Sequence, residues 1–217
     1  MTGKIKLVHS GGNSVSVAVP TNAPSASEVE FKLPQSDGSA NQYIKTDGSG
    51  NLGFATLPSS GKILSVTQTV KTDTFSQLSV NEGTASNDVI SLSFAATSSS
   101  NKLLIHYSLS GGSSAANRVG CVLAIGGTVQ TAFQGDSAGS RTRVMSTAAN
   151  HASWAMNNLA GMALVSSPST SSTTYSFRLI HGNNAQTNLY LNRSHEDNDA
   201  GYMQRPVSMI TIMEVAA

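Results

Sequence analysis

The sequence predicts an all-β protein, with an extended N-terminal arm over residues 1–58 followed by an antiparallel jelly-roll β-sandwich over residues 59–217. Three observations carry this. Beyond Ser59 the apolar residues alternate in strand-length runs bounded by Asn and Gly, and no stretch longer than about a dozen residues keeps the i, i+3, i+4, i+7 stripe of a helix. Four of the six prolines, Pro20, Pro24, Pro34 and Pro58, fall in the first 58 residues, where apolar runs are too short to bury a core of their own. Only 12% of the 217 residues are charged, against roughly 25% in average globular proteins, so the surface is built from Ser, Thr, Asn, Gln, Gly and Ala.

In the arm, the alternations Lys4 to Val8 and Val15 to Val19 flank Gly11-Gly12 and are followed by Pro-Ser-rich links. The quartet Ser36-Asp37-Gly38-Ser39 recurs ten residues on as Thr46-Asp47-Gly48-Ser49, and Leu33-Pro34 returns as Leu57-Pro58. Asp-Gly followed by a small polar residue marks a tight turn, because Gly accepts positive φ. Phe31 to Thr56 therefore reads as short extended segments, Gln42 to Lys45 and Leu52 to Ala55 among them, punctuated by turns.

The second half offers strands at Ile63 to Val70, Thr74 to Val80, Asp88 to Ala95, Lys102 to Leu109, Arg118 to Ile125, Thr128 to Gln134, Ser153 to Leu164, Thr174 to His181, Asn188 to Asn192 and Val207 to Val215. Leu103, Ile105, Tyr107 and Leu109 make one wholly apolar face, and Tyr175, Phe177 and Leu179 another. In the last strand neither Val207, Met209, Thr211, Met213 and Val215 nor Ser208, Ile210, Ile212 and Glu214 looks solvated. Many short strands with regular turn signals predict two packed antiparallel sheets, with a jelly roll as the topology. Apolar outer faces and scarce charge predict an obligate homo-oligomer.

Several functions are disfavoured. A formal charge of +1 without a Lys or Arg run leaves no footprint for a phosphate backbone, so nucleic acid is not an expected partner. The most apolar stretches, Gly120 to Ile125 and Ser208 to Val215, are strand-length, far short of the ~20 residues a bilayer helix needs. No apolar region follows the lysines near Met1, so no secretory signal is read there. A lone Cys121 cannot form an intrachain disulfide and fits assembly in a reducing cytoplasm.

Catalytic residue types are present but unarranged. His9, His106, His151, His181 and His195 fall in no zinc-binding spacing, and neither a nucleophile elbow nor a phosphate-binding loop occurs, so no metal, cofactor or catalytic residue is assigned. The densest polar cluster runs from Arg193 to Asp199; His195, Glu196, Asp197 and Asp199 could form a cation or receptor site, but the spacing is not an EF-hand and a solvated turn explains it better. Arg141 and Arg143, beside Asp136, could bind carboxylate or sulfate groups on surface sugars, or an intersubunit carboxylate. Trp154 could stack on a sugar, but on an apolar strand with Met156 it reads as core, and Cys121 reads as a small buried hydrophobe. A glycan depolymerase needs two carboxylates about 5–9.5 Å apart, and nothing points to such a pair.

The segment LPQSDGSANQYIKTDGSGNL, Leu33 to Leu52, resembles a junction found in tail-fibre-like virion proteins of marine bacteriophages, notably cyanophages. The ending, with Asn192-Arg193-Ser194, Asp197 to Asp199, Tyr202 and Arg205 to Glu214 (RPVSMITIME), is similar to the C-terminus of the same proteins. The resemblance implies an arm or stalk that attaches to other virion proteins, and a homotrimeric head, like the tumour-necrosis-factor or C1q jelly roll, that faces a host-surface glycan or protein. On that reading Asp136, Arg141, Arg143, His195, Asp197 and Asp199 are receptor-binding candidates, and Met209, Ile210, Ile212 and Met213 line the shared axis. The protein would be a virion component assembled in the host cytoplasm, with no enzyme activity. A capsid-surface decoration or a tail-assembly component without receptor binding is the alternative, and a depolymerase the remoter one. Unlike long fibres, the chain has no coiled coil, collagen-like repeat or extended shaft.

Overall fold

The computed structural model describes residues 4–18, 20–22, 24, 26, 28–58, 61–114, 118–166, 168–182 and 185–217; Val19, the end of one expected alternation, and Ser59, the expected start of the sandwich, lie outside them. The chain divides into two units, Met1–Pro58 and Ser59–Ala217.

The first unit is two antiparallel hairpins. Strand β1 (Lys4–Val8) pairs with β2 (Ser14–Ala18), placing Ile5 opposite Val17 and Leu7 opposite Val15. Strand β3 (Gln42–Thr46) pairs with β4 (Leu52–Thr56), placing Ile44 opposite Phe54. The turn between β3 and β4 is held by side chains. Asp47 Oδ1 accepts from the Ser49 and Asn51 amides at 2.8 and 3.2 Å, Oδ2 accepts from Asn51 Nδ2 at 2.6 Å, and Thr46 Oγ1 accepts from the Gly48 amide at 3.1 Å. Gly48 and Gly50 take φ of 85° and 87°, the left-handed conformation this turn requires. The earlier copy of the motif behaves differently. Gly38 has no positive φ; it is small because a Cβ there would sit 2.6 Å from the Phe54 ring. The repeat thus makes one tight turn, and its other glycine makes room for an aromatic side chain.

The second unit contains β5 (Ile63–Lys71), β6 (Phe75–Val80), β7 (Asp88–Phe94), β8 (Lys102–Ser113), β9 (Arg118–Ile125), β10 (Thr128–Val129), a 3₁₀ turn (Thr131–Phe133), β11 (Ser146–Ala149), β12 (Asn157–Ser166), β13 (Thr173–His181), β14 (Thr187–Leu191) and β15 (Ser208–Val215). One sheet runs β5-β15-β8, with β12 on the other edge of β8, and the second runs β7-β13-β9, with β11 on the far side of β9. Numbering β5, β7, β8, β9, β11, β12, β13 and β15 from one to eight, the orders are 1-8-3-6 and 2-7-4-5, the double Greek key of a jelly roll. The pair β14-β6 extends the first sheet beyond β15, since Leu189 to Leu191 face Ser113 to Gly111. Thr128 to Gln134 is not one strand. Pairing with β9 stops at Val129, and the chain makes a long excursion before Ser146 resumes the same edge as β11. Ser146–Ala149, without large apolar residues, carries no strand signal in the sequence.

The core lies between the sheets. Leu103, Ile105, Tyr107 and Leu109 from β8 meet Val119, Cys121 and Leu123 from β9 and Tyr175, Phe177 and Leu179 from β13, all buried, with the Tyr107 and Phe177 ring centroids 4.3 Å apart. Ile210 and Ile212 are wholly buried in this same core. They were expected at a subunit interface, but strand parity turns them inward, so their apolar character serves the chain's own packing. Gly161 in β12 lets Tyr107 approach, since a Cβ there would lie 2.8 Å from the phenol oxygen.

The unit begins and finishes at one end of the sandwich. The Gly61 amide donates to Ala216 O at 2.9 Å and the Ala216 amide to Lys62 O at 2.8 Å. At the opposite end β5 leaves at Lys71 opposite Ser208, where β15 starts, and β12 starts at Asn157 opposite Gly111.

Candidate functional site

The end of the sandwich remote from Gly61 and Ala216 carries the polar loops. Its anchor is Asn192, wholly buried and left-handed at φ 58°. Asn192 Nδ2 donates to Lys71 O at 2.8 Å and Asp73 O at 3.0 Å, and Oδ1 accepts from Ser208 Oγ at 2.6 Å. The amide is thus spent on tying three segments together.

From that anchor the loop 193–206 closes on itself. The Arg193 guanidinium lies 5.0 Å from the Tyr190 ring centroid, donates to Ser194 O and His195 O, and pairs with Asp197 at 3.3 Å. Arg205 reaches Asp197 at 2.5 Å. The Tyr190 hydroxyl bonds His195 Nδ1 at 2.7 Å, and Ser153 Oγ donates to Glu196 at 2.6 Å. Of the expected receptor residues here, Asp197 and His195 are therefore engaged inside the loop, whereas Asp199 is exposed with no ion pair among the described residues. A carboxylate held by two guanidiniums does not attract a cation, so the turn reading prevails over the cation site. Trp154 corrects another expectation. β12 starts only at Asn157, leaving Trp154 on the turn Ala152 to Ala155, 61% exposed beside this loop.

The excursion between β10 and β11 folds back over the outer face of β9, where a Cβ at Gly120 would sit 2.7 Å from Val144 Cγ1. Arg143 holds this loop together, donating from Nε to Gly135 O at 2.6 Å and from Nη2 to Thr131 O at 3.2 Å. Arg141 donates to Ala138 O at 3.1 Å and lines a cleft of about 340 Å³ together with Arg118, Glu82, Ser140, Thr142 and Thr147. Asp136 is exposed on the same excursion and lines neither this cleft nor the adjoining one. Arg118 was not singled out from the sequence, where it opens an otherwise apolar strand; only its register against Ala149 brings it to the cleft. The two expected clusters, Asp136 to Arg143 and His195 to Asp199, stay on separate loops.

Cys121 is chemically quiet. Burial pushes its thiol above the usual range, against the lowering effect of Ser146 Oγ at 3.2 Å, and burial carries Tyr107, bonded to the same hydroxyl at 3.1 Å, up to about 12.

The outer face of β5-β15-β8-β12 is the other unusual surface. Its cross-strand rows are Val66, Met213, Leu104 and Leu164; then Gln68, Thr211, His106 and Met162; then Val70, Met209, Ser108 and Ala160. Val66, Val70, Met162 and Leu164 are about half exposed or more, at 59%, 48%, 66% and 49%. The half-buried Met209 and Met213 lie here, so these two of the four expected interface residues do face outward.

No protein-family model matches the sequence, and no curated protein matches it. Among solved structures, the chain is similar to a chain of infectious bursal disease virus, Gx strain, at 15% identity and a TM-score of 0.37, over 95% of this chain and 46% of that one. It is similar to the corresponding structure of the Gt strain at 16% identity and a TM-score of 0.38, over 95% of this chain and 48% of that one. The chain thus spans about half the length of the chains it matches.

Proposed function

We propose that this chain is a virion appendage of a bacteriophage, whose residues 1–58 attach it to the particle and whose jelly-roll unit, as a homotrimer, presents loops to a host surface. One observation carries the reading: the Gly61–Ala216 and Ala216–Lys62 hydrogen bonds hold the beginning and end of the sandwich together, while the polar loops and Trp154 occupy its other end. A unit tethered at one end and recognising at the other needs this polarity. The resemblance of Leu33 to Leu52 and of the C-terminal residues to phage tail-fibre-like proteins supports the same assignment. The outer face bearing Met209, Met213, Val66 and Met162 supplies an apolar surface for packing identical copies. Trimer and particle valency then multiply a weak contact at each loop. The role read here is binding: His195 and Asp197, through Tyr190, Arg193 and Arg205, hold the shape of the apical loop that is presented.

Light scattering of the purified chain at micromolar concentration tests the assembly, with a trimer expected and a stable monomer overturning it. Labelling virions with a tagged chain and measuring adsorption of particles lacking it tests the station. Reduced adsorption is expected; undiminished adsorption favours a capsid-surface or tail-assembly part.

A further inference from the structure

We propose that the cleft between Arg118 and Arg141 binds an acidic sugar residue, one carrying a carboxylate or sulfate group, on a surface polysaccharide. The inference deepens the host-contact reading and rests on it. Elsewhere in the sandwich the arginines are engaged: Arg178 pairs with Asp88 at 2.6 Å, Arg193 and Arg205 pair with Asp197, and Arg143 spends its donors on the Gly135 and Thr131 carbonyls. Among the described residues neither Arg118 nor Arg141 makes an ion pair, and both line one cleft with a single acid, Glu82. Two unmatched guanidiniums in a chain that uses charge this sparingly leave a local excess of positive charge suited to an oxyanion, which a planar guanidinium engages through two parallel N–H donors.

The remaining lining fits a sugar better than a bare anion. Ser140, Thr142 and Thr147 supply hydroxyls that can both donate and accept, matching ring hydroxyl groups. Gly120 and Gly182 keep the walls low, with a Cβ at Gly182 only 3.3 Å from Thr142 Oγ1. Among the described residues the cleft is lined by no Phe, Tyr or Trp on which a sugar ring could stack, so each copy binds weakly and relies on valency. Its position is also favourable. It opens on the β9-β13 sheet, across the sandwich from the apolar face, so packing copies through that face leaves it open.

Titration calorimetry on the full chain tests this with galacturonate oligosaccharide, sulfated chondroitin oligosaccharide, neutral maltohexaose and sodium sulfate as probes. At least one acidic oligosaccharide should bind about tenfold or more tightly than maltohexaose, and raising salt from about 50 to about 500 mM should weaken it. Arg118→Gln, at a side chain that makes no hydrogen bond or ion pair among the described residues, should lower that affinity about tenfold without shifting the unfolding midpoint, and Arg141→Gln should lower it about as much. Equal binding of maltohexaose, no acidic probe bound at about 10 mM, unchanged affinity in Arg118→Gln, or sulfate alone matching the oligosaccharides (an adventitious ion only) each overturns the assignment. Adsorption separates the two failures. If particles lacking the chain fail to adsorb while Arg118→Gln particles adsorb normally, the cleft is wrong and the appendage reading stands.

Discussion

The β1-β2 hairpin and strand β8 are written in the same alternating code and end in opposite environments. Ile5, Leu7, Val15 and Val17 line one face of the hairpin and are 68–73% exposed, whereas Leu103, Ile105, Tyr107 and Leu109 occupy equivalent alternate positions and are buried. Alternation specifies a strand; burial requires a second layer, which the sandwich supplies from its own chain and the first unit lacks. A two-stranded hairpin is marginally stable at best in water. What holds the first unit locally is turn chemistry, such as the Asp47 bonds, and its apolar faces stay exposed.

The largest expected effect tests that contrast directly. Phe177→Ala empties a buried site stacked on Tyr107 and should cost about 3–5 kcal/mol by denaturant unfolding, while Ile5→Ala should change the same measurement by no more than about 0.5 kcal/mol. A comparable cost for Ile5→Ala in the purified chain would show that another copy already covers the hairpin and would break the comparison. Next in size is Asn192→Ala. It strips Lys71 O, Asp73 O and Ser208 Oγ of a partner and puts a residue with no amide side chain at φ 58°, so the loss should be on the order of 3 kcal/mol. The fluorescence of Trp154, the single tryptophan, sits on the neighbouring turn and should report loosening of the apical loops.

Strong alternation made most of the sandwich legible: the inward set of β8, the Tyr175, Phe177 and Leu179 face and the span of β9 are where the pattern puts them. Where the pattern is weak, the structure departs from it. β11 has only Ser, Thr and Ala, β12 starts four residues after Ser153, and Trp154 is consequently a surface residue. The final strand shows a different limit. With both faces apolar, composition alone cannot say which one meets the core, and Ile210 and Ile212 turn inward while Met209 and Met213 turn outward. The candidate site was legible as two polar loops. Arg118 was not, because its partnership with Arg141 depends on the strand register and on the excursion that interrupts one edge, neither of which is written locally.

The smallest predicted effect compares one carboxylate from each unit. Asp47 is held below the ordinary aspartate value chiefly by the Asn51 side chain, and then by the Ser49 amide. In Glu214 burial pushes the value up, but donation from Asn101 Nδ2, Thr97 Oγ1 and the Thr97 amide, each at 2.7 Å, outweighs it and holds the carboxyl below its ordinary range. Both groups are less readily protonated folded than unfolded, so each adds stability above the unfolded values of about 3.9 and about 4.3 that is lost as pH falls through the lower folded value. The consequences should differ with the surroundings. Protonating Asp47 in solvent loosens one turn, seen as faster amide exchange at Ser49 and Asn51 with no change in the sandwich's midpoint. Protonating Glu214, wholly buried where β15 meets β7–β8 loop residues, weakens the strand that joins the C-terminus to the core, so the thermal midpoint should fall as pH drops below the ordinary glutamate value of about 4.3 and through the lower folded value. In Glu214→Gln that acid-induced fall should shrink, since the group that titrates is gone. A midpoint drop of equal size in the variant would show that other carboxylates, and not this buried one, set the sandwich's acid limit.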